Sequence, residues 1–505
     1  MKAFKKLKFS SLIKKEFLML YLIILIGSYI RLAGVFTNSF AFTYDVGRDM
    51  LALWNIAYLH KLTLIGATTG LPGVFYGPWW YYMLTPFFII FGGNPQGLDF
   101  IMALTGIASI VLAYVFGRKI QGSLTGLIFA GLIGASPVMV SLSAQIWNPN
   151  IAPFFVLLIF LMLRKIFSGE KNRRLLYFFL LGIFLSLSID IEIVYGILFT
   201  LGIFISLGLI LRNKIKLKEV VSLAFGLLVI ASPRILFELR HHFLMSKSFI
   251  KFVTSGGTSH TASSLISDFI NRLSFMFSQF SSTVALNNEI LGLIFLFFIA
   301  LTLFLFYKKE NIITKDFINL SLIVIATFIV GTTFFSHDIW PHYLVGLPVI
   351  YIFLISVSFY MLGKQIKNKY VVPIAVFILI LVNFNPVAIF QSLTQPLWIG
   401  DASVYRNQLA VINYVYKQAN GRSFKYVVYT PPVYDYTYQY LFMWYGENAF
   451  HYEPSQQSHL AFFILEPDLQ MPSRLTDWLR ERQGDGTIVK SEKLPSGIIV
   501  QTRVH

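Results

Sequence analysis

The stretch FTYDVGRDM, residues 42–50, places Asp45, Arg48 and Asp49 within five positions. A carboxylate can take a proton from an acceptor hydroxyl. A guanidinium can hold a phosphate or another oxyanion. The same groups also pair with one another and merely organise a loop, the commoner fate of an isolated Asp/Arg pair. Position shifts the balance here, because Asp45 is the first carboxylate after the apolar run EFLMLYLIILIGSYIRLAGVF. If the segment is helical, Asp49 lies one turn beyond Asp45 and Arg48 is adjacent. Asp45 is therefore the candidate base, Asp49 its support and Arg48 a substrate-binding group.

Other polar groups gather at positions equivalent to that one, at the ends of apolar runs. Asn148 and Asn150 follow one of them in QIWNPN. Asp190 and Glu192 stand at a turn between two more, and PRILFELRHHF carries Arg234, Glu238, Arg240, His241 and His242. FFSHDIWPHYL carries His337, Asp338, His342 and Tyr343. Ionisable residues near membrane depth are costly, and their default reading is functional. We take Asn148, Asn150, Glu192, Arg234, Glu238, Arg240, His241, His337, Asp338, His342 and Tyr343 as candidate substrate-binding residues. His242 and His260 read as ordinary interfacial groups. The chain contains no HxxxH or HExxH, so no metal site is assigned. The aromatic run at 75–82 reads as interfacial packing.

The elements that must position these groups are membrane helices. Hydrophobic residues make up 56% of the chain and charged residues 13%, against about 25% charged in soluble domains. Cysteine is absent, which excludes disulfides, zinc–thiolate sites and thiol chemistry. Apolar runs near 17–36, 98–116, 123–142, 151–167, 175–189, 193–211, 219–236, 290–307, 317–335, 343–361 and 371–390 predict about eleven spans, some shorter than the ~20 residues that cross comfortably. The first has no small-residue cleavage site after it and reads as an anchor.

Basic residues follow every second run: Arg118 and Lys119, then Arg164 to Arg174, Arg212 to Lys218, Lys308 to Lys315, and Lys364 to Lys369. With the lysines of residues 2–15, these put the N-terminus in the cytoplasm. Only Glu16, Glu170, Glu219, Glu310 and Asp316 share that side, of 24 carboxylates. The net charge of +17 is therefore a topology signal toward anionic lipid, not a nucleic-acid footprint.

WWYYMLTPFFIIFGG breaks the charge alternation if it spans, so it is expected to lie in the outer interface, inside one long outer loop at 37–97. Residues 1–390 then form the transmembrane part and residues 391–505 an extracytoplasmic domain. KYVVYT, LAFFIL, GTIVK and GIIVQT are its expected strands. SVYRNQLAVINYVYKQ, YDYTYQYLFMWYG and PSRLTDWLRER are its expected helices. The expected architecture is an all-α polytopic membrane protein with a small C-terminal extracytoplasmic α/β domain.

YDVGRDM, GPWWYYMLTPFFIIFGG, the stretch from AYVFGRK to QIWNPN, and SHDIWPHYLVGLPVIYIFL resemble the GT-C membrane glycosyltransferases, in particular protein O-mannosyltransferase-like and aminoarabinose-transferase-like enzymes. The resemblance covers about residues 17–390. It implies a polyprenyl-phosphate sugar donor, a glycan, lipid or protein acceptor on the outer face, and Asp45 as the base of an inverting transfer in the plasma membrane. No cofactor is expected; a divalent cation held by Asp45, Glu192 and Glu238 is the alternative that the wider group implies. Two departures stand out. Val46 follows Asp45 where relatives often have Glu, and Gly77 precedes Pro78 where the aminoarabinose enzymes place Lys.

Three rival readings differ in where polar groups should lie. A lipid-linked-sugar flippase needs charges near the membrane midplane and on both faces. A wall-polymer ligase centres on a large outer loop late in the chain. A non-catalytic sugar-lipid binder needs no Asp45.

Overall fold

The computed structural model describes residues 15–255, 262–335, 338–366, 374–377, 379–380, 401–431 and 434–505. It opens with α1 (Lys15–Phe36), then two helices off the main bundle, α2 (Tyr44–Ala57) and α3 (Trp79–Ile90). The bundle continues with α4 (Pro95–Gln121), α5 (Ser123–Ala135), short α6 (Pro137–Ser141), α7 (Ala152–Phe167), α8 (Arg174–Ile191), α9 (Ile193–Leu211) and α10 (Leu217–Arg240). It closes with α11 (Leu244–Ser255), α12 (Ala262–Val284), α13 (Glu289–Phe306), α14 (Ile312–Thr333) and α15 (Leu347–Gly363).

Among the described residues, eight helices are long and apolar enough to cross a bilayer, while α5 and α15 are shorter apolar helices beside them. The chain is a multi-pass membrane protein. Ten of the eleven expected spans coincide with these helices, and the eleventh, at 371–390, lies largely outside the described residues.

Local chemistry explains the helix ends. Gly92 and Gly93 take positive φ of 59° and 79° to stop α3. Asn94 then accepts from the Gln96 N–H at 2.9 Å, and Pro95 opens α4. Pro137 disfavours helix at Ser136, which splits the expected 123–142 run into α5 and α6. The freed carbonyls of Ile133 and Gly134 are taken by the buried Arg31 guanidinium at 2.9 and 3.0 Å. Arg31 thus serves the C-terminus of α5, where a cation is favoured.

Two features differ from the sequence reading. The α10 helix runs through Arg240, so Arg234 and Glu238 belong to its last turns and not to a loop. Residues 244–255 and 262–284, for which no element was expected, form α11 and α12. These are amphipathic, and a polar face across both hides them from a count of apolar runs.

The C-terminal unit contains α16 (Tyr405–Ala419), β1 (Lys425–Tyr429), α17 (Tyr436–Phe450), β2 (Leu460–Leu465), α18 (Pro472–Glu481), β3 (Thr487–Lys493) and β4 (Ile499–Val504). Every strand and helix expected there is present. The sheet order is β1-β2-β4-β3. The parallel β1–β2 pair is joined through α17, as parallel pairing requires a crossover. LAFFIL is unbroken by polar residues because β2 is central and buried along its whole length.

This unit is fused to the 37–97 segment between α1 and α4. Ala41 bridges Val404, and the Phe42 N–H donates to Ser403 O at 2.7 Å. The Trp444 indole donates to Gly92 O at 2.7 Å, and the Tyr440 hydroxyl donates to Gly93 O. Val46, Met50, Trp80 and Phe88 share one apolar core with Tyr438, Leu441 and Phe442. Where α2 crosses the start of α17, a Cβ on Gly47 would fall on the backbone of Tyr436 and Thr437. Gly47→Val should therefore force the two units apart and cost about 1–3 kcal/mol or more. Limited proteolysis should then release the C-terminal unit at a protease dose that leaves the wild type intact; equal resistance would contradict this packing.

Candidate active site

The helix α2 presents its first turn to the seam between bundle and sheet unit. Asp49 is 1% exposed. Its carboxylate accepts from Arg48 Nε at 3.0 Å, Arg48 Nη2 at 2.9 Å, the Trp80 indole at 3.0 Å and the Tyr81 hydroxyl at 3.1 Å. A buried charge is tolerated only when so satisfied. Arg48 turns its Nη1 to Asp45 at 2.7 Å. Asp45 differs from Asp49 in one decisive respect: its side chain is 23% exposed. Burial pushes the Asp45 carboxyl above the ordinary value, and Arg48 opposes that shift. The cluster therefore has one locked carboxylate, one guanidinium bound to both, and one carboxylate facing open space.

That space is a cleft of about 310 Å³ lined by Asp45, Tyr44, Trp147, Tyr434, Gln408 and Glu466, among others. It lies between α2, the 145–150 loop and the C-terminal unit. Glu466, at the end of β2, was not foreseen. It is buried, accepts from the Tyr438 hydroxyl at 2.8 Å, and is held up to about 7 by burial. Nothing in the local sequence of Glu466 signals this, since only long-range packing of α17 against α2, with Tyr438 holding Glu466, brings it to the cleft.

A second group of buried acids sits beside the first. The Tyr76 hydroxyl donates to Glu192 at 2.8 Å. Burial raises the Glu192 carboxyl to about 7 against the Tyr76 hydroxyl and two backbone N–H groups. Burial raises the Tyr76 phenol too, helped by Glu192 and by the charges of Tyr343 and Asp45, so these four groups share one electrostatic neighbourhood. The Trp79 N–H donates to Asp190 at 3.0 Å, and Arg234 Nε lies 3.1 Å from the same carboxylate. A Cβ on Gly77 would fall inside that carboxylate. The missing lysine before Pro78 thus has a physical reason, because the space for its side chain is filled by Asp190.

The remaining expected residues divide. Asn148 donates to Ile191 O and Asn150 to Gln145 O at 3.2 Å, so both brace the loop that carries Trp147. His342 lies edge-on to Trp147 at 5.2 Å and to Tyr343 at 4.5 Å. Burial lowers its imidazole to about 4, which keeps it neutral and unsuited to holding a phosphate by charge. Glu238 is turned to α11, accepting from the Met245 and Ser246 N–H groups at 2.7 and 3.0 Å. Arg240, His241 and Asp338 are exposed. His337 lies outside the described residues. Among the described residues, no three His, Asp or Glu side chains converge as a metal shell would.

Trp80 and Tyr81 were read as interfacial packing, yet both donate to Asp49. The signal was available in the accounting, because a buried Trp or Tyr needs a partner for its polar atom and a buried Asp needs donors.

Two tests follow from these environments. Asp49→Ala should destabilise the protein by about 3–5 kcal/mol, because it strands Arg48, whereas Asp45→Asn should cost about 1 kcal/mol or less; thermal melts in detergent decide. Glu192 and Glu466 hold protons in the folded state that the unfolded chain releases near 4.5, so their stability contribution should fall as pH rises from about 4.5 to about 7. In the double variant Glu192→Gln, Glu466→Gln the slope of Tm across that window should flatten; an unchanged slope would show that neither group carries it.

Residues 76–237 match the sequence profile of the dolichyl-phosphate-mannose-protein mannosyltransferase family. No curated protein matches the chain. Among solved structures, ArnT from Cupriavidus metallidurans bound to undecaprenyl phosphate superposes with a TM-score of 0.59, at 12% identity, over 97% of this chain and 98% of that one. The same ArnT in its apo state gives 0.58 at 11% identity over the same shares. AglB from Archaeoglobus fulgidus, an archaeal oligosaccharyltransferase, gives 0.46 at 16% identity, over 86% of this chain and 60% of that one. The helical bundle, the segment carrying α2 and α3, and the fused C-terminal unit together have the GT-C fold seen in ArnT.

Proposed function

We propose that this protein is an integral-membrane glycosyltransferase that moves a sugar from a polyprenyl-phosphate donor to an acceptor hydroxyl, with Asp45 as general base. The observation that carries this reading is the division of labour in one α2 turn. Asp49 is buried and fully hydrogen-bonded, and Asp45 alone opens to the cleft. The ArnT structure with undecaprenyl phosphate supports the donor class.

The acceptor O–H gives its proton to the Asp45 carboxylate. Its oxygen attacks the anomeric carbon as the bond from that carbon to the phosphate oxygen breaks. The electron pair leaves with polyprenyl phosphate. A phosphate is a good enough leaving group to need no general acid, so one carboxylate suffices and the anomeric configuration inverts. Arg48 keeps Asp45 oriented. Arg240, exposed at the end of α10, is the candidate cation for the donor phosphate, since Arg234 is already paired with Asp190. We place the cleft on the extracytoplasmic face and the N-terminus in the cytoplasm, following the basic loops at the other ends of the helices. The reaction is proposed to run without a divalent cation.

Of the buried charges in the described spans, Asp190 and Glu219 sit in a terminal turn, and Arg31 and Asp99 lie within two turns of a helix end. They form no polar path through the midplane, which favours a transferase over a flippase. Asp45→Asn in proteoliposomes with radiolabelled polyprenyl-phosphate sugars should lower transfer by about 10²–10⁴-fold while the melting temperature stays close to wild type. Near-normal transfer would remove Asp45 from the mechanism.

A further inference from the structure

The Asp45 cleft also carries information about the acceptor. Among the described residues that line it, none is Lys, Arg or His. Two are acids, Asp45 and Glu466, and the nearby Arg48 guanidinium is already engaged by both Asp45 and Asp49. An acceptor bearing phosphate would find no free cation among the described lining residues to compensate its charge.

The rest of the lining is aromatic, amide and hydroxyl. Tyr434 lies alongside Tyr44, with ring centroids 6.1 Å apart and planes 28° apart, and stacks on Tyr436 at 5.4 Å and 3°. Tyr44, Tyr434 and Trp147 all line the cleft, and Tyr434 is exposed. In the same lining Gln408 is 2% exposed and hydrogen-bonds Glu466, yet its Oε1 is buried with no partner among the described residues. A buried amide oxygen without a donor is costly. The ligand that fits offers it an O–H.

We propose that the cleft is the acceptor site, and that the acceptor is a neutral sugar whose ring lies on Tyr434 and Trp147 and whose hydroxyls engage Gln408 and Glu466. A pyranose presents C–H groups on a face and hydroxyls on its rim, which matches aromatic rings beside buried polar atoms. Glu466, pushed up to about 7 by burial, is partly protonated at neutral pH and in that form offers a hydrogen-bond donor beside the Gln408 acceptor. The C-terminal unit then selects the acceptor, because Gln408, Tyr434 and Glu466 all belong to it. An extended Ser/Thr peptide would use the rings but leave the Gln408–Glu466 pair with one hydroxyl between them. The proposal rests on the transferase reading for its chemistry but not for its binding.

The test separates the two. Saturation-transfer NMR on the full chain in detergent would use neutral disaccharides such as maltose and lactose, glucose 6-phosphate and mannose 6-phosphate, and a Ser/Thr-rich peptide. The neutral sugars should bind at least tenfold more tightly than the phosphates. Tyr434→Ala, at an exposed position, should weaken them at least tenfold without lowering the melting temperature. Gln408→Leu should do the same. The same compounds are then offered as acceptors with a radiolabelled polyprenyl-phosphate sugar. Neutral-sugar binding with no donor consumption would uphold this site and overturn the transferase reading. Transfer to the phosphorylated sugar or the peptide in preference would uphold the transferase and overturn this site, as would neutral-sugar binding insensitive to both variants.

Discussion

The arrangement at the site depends on one buried charge. Asp49 sits where water cannot reach it, and its carboxylate is satisfied only because Arg48, Trp80 and Tyr81 all point at it. That requirement ties α2 to α3 and fixes the guanidinium plane of Arg48. The remaining Arg48 nitrogen then fixes Asp45. A carboxylate at the mouth of a solvated cleft would otherwise sample several rotamers. Here a hydrogen bond from a cation that is itself held by a buried anion sets its direction. The α2 turn therefore works as a lever, with Asp49 as fulcrum and Asp45 as the working end.

The same economy of space explains two glycines. Gly47 lets α17 approach α2 closely enough for Glu466 and Gln408 to reach the cleft. Gly77 lets Asp190 close over the loop that leads into α3, where it also takes the Trp79 N–H. A side chain at either position would leave the carboxylates in place but separate the elements that give them partners. The cleft is therefore a product of contacts between the segment carrying α2 and the C-terminal unit, and neither forms it alone.

Much of this was legible in the chain. Apolar run lengths and the alternation of basic loops located the spans, because lipid demands unbroken apolar helices and the charge rule marks their ends. The strands of the C-terminal unit were legible from alternation and turn residues. Asp45 and Asp49 stood out because the first span ends just before them. Legibility ended where long-range packing decides. Glu466 lies more than four hundred positions from Asp45, and nothing near it in sequence announces a cleft. His342 looked like a phosphate ligand, but its burial against Trp147 keeps it neutral. Glu238 looked like part of an outer cluster and instead caps α11, a helix whose amphipathic face concealed it.

The proposed chemistry is a single displacement at the anomeric carbon, with the Asp45 carboxylate as base. The most direct measurement is the anomeric configuration of the product, read by proton NMR after transfer from a polyprenyl-phosphate sugar of known anomer. Inversion is the predicted result. Retention would require a covalent intermediate on an enzyme carboxylate and would contradict the role given to Asp45.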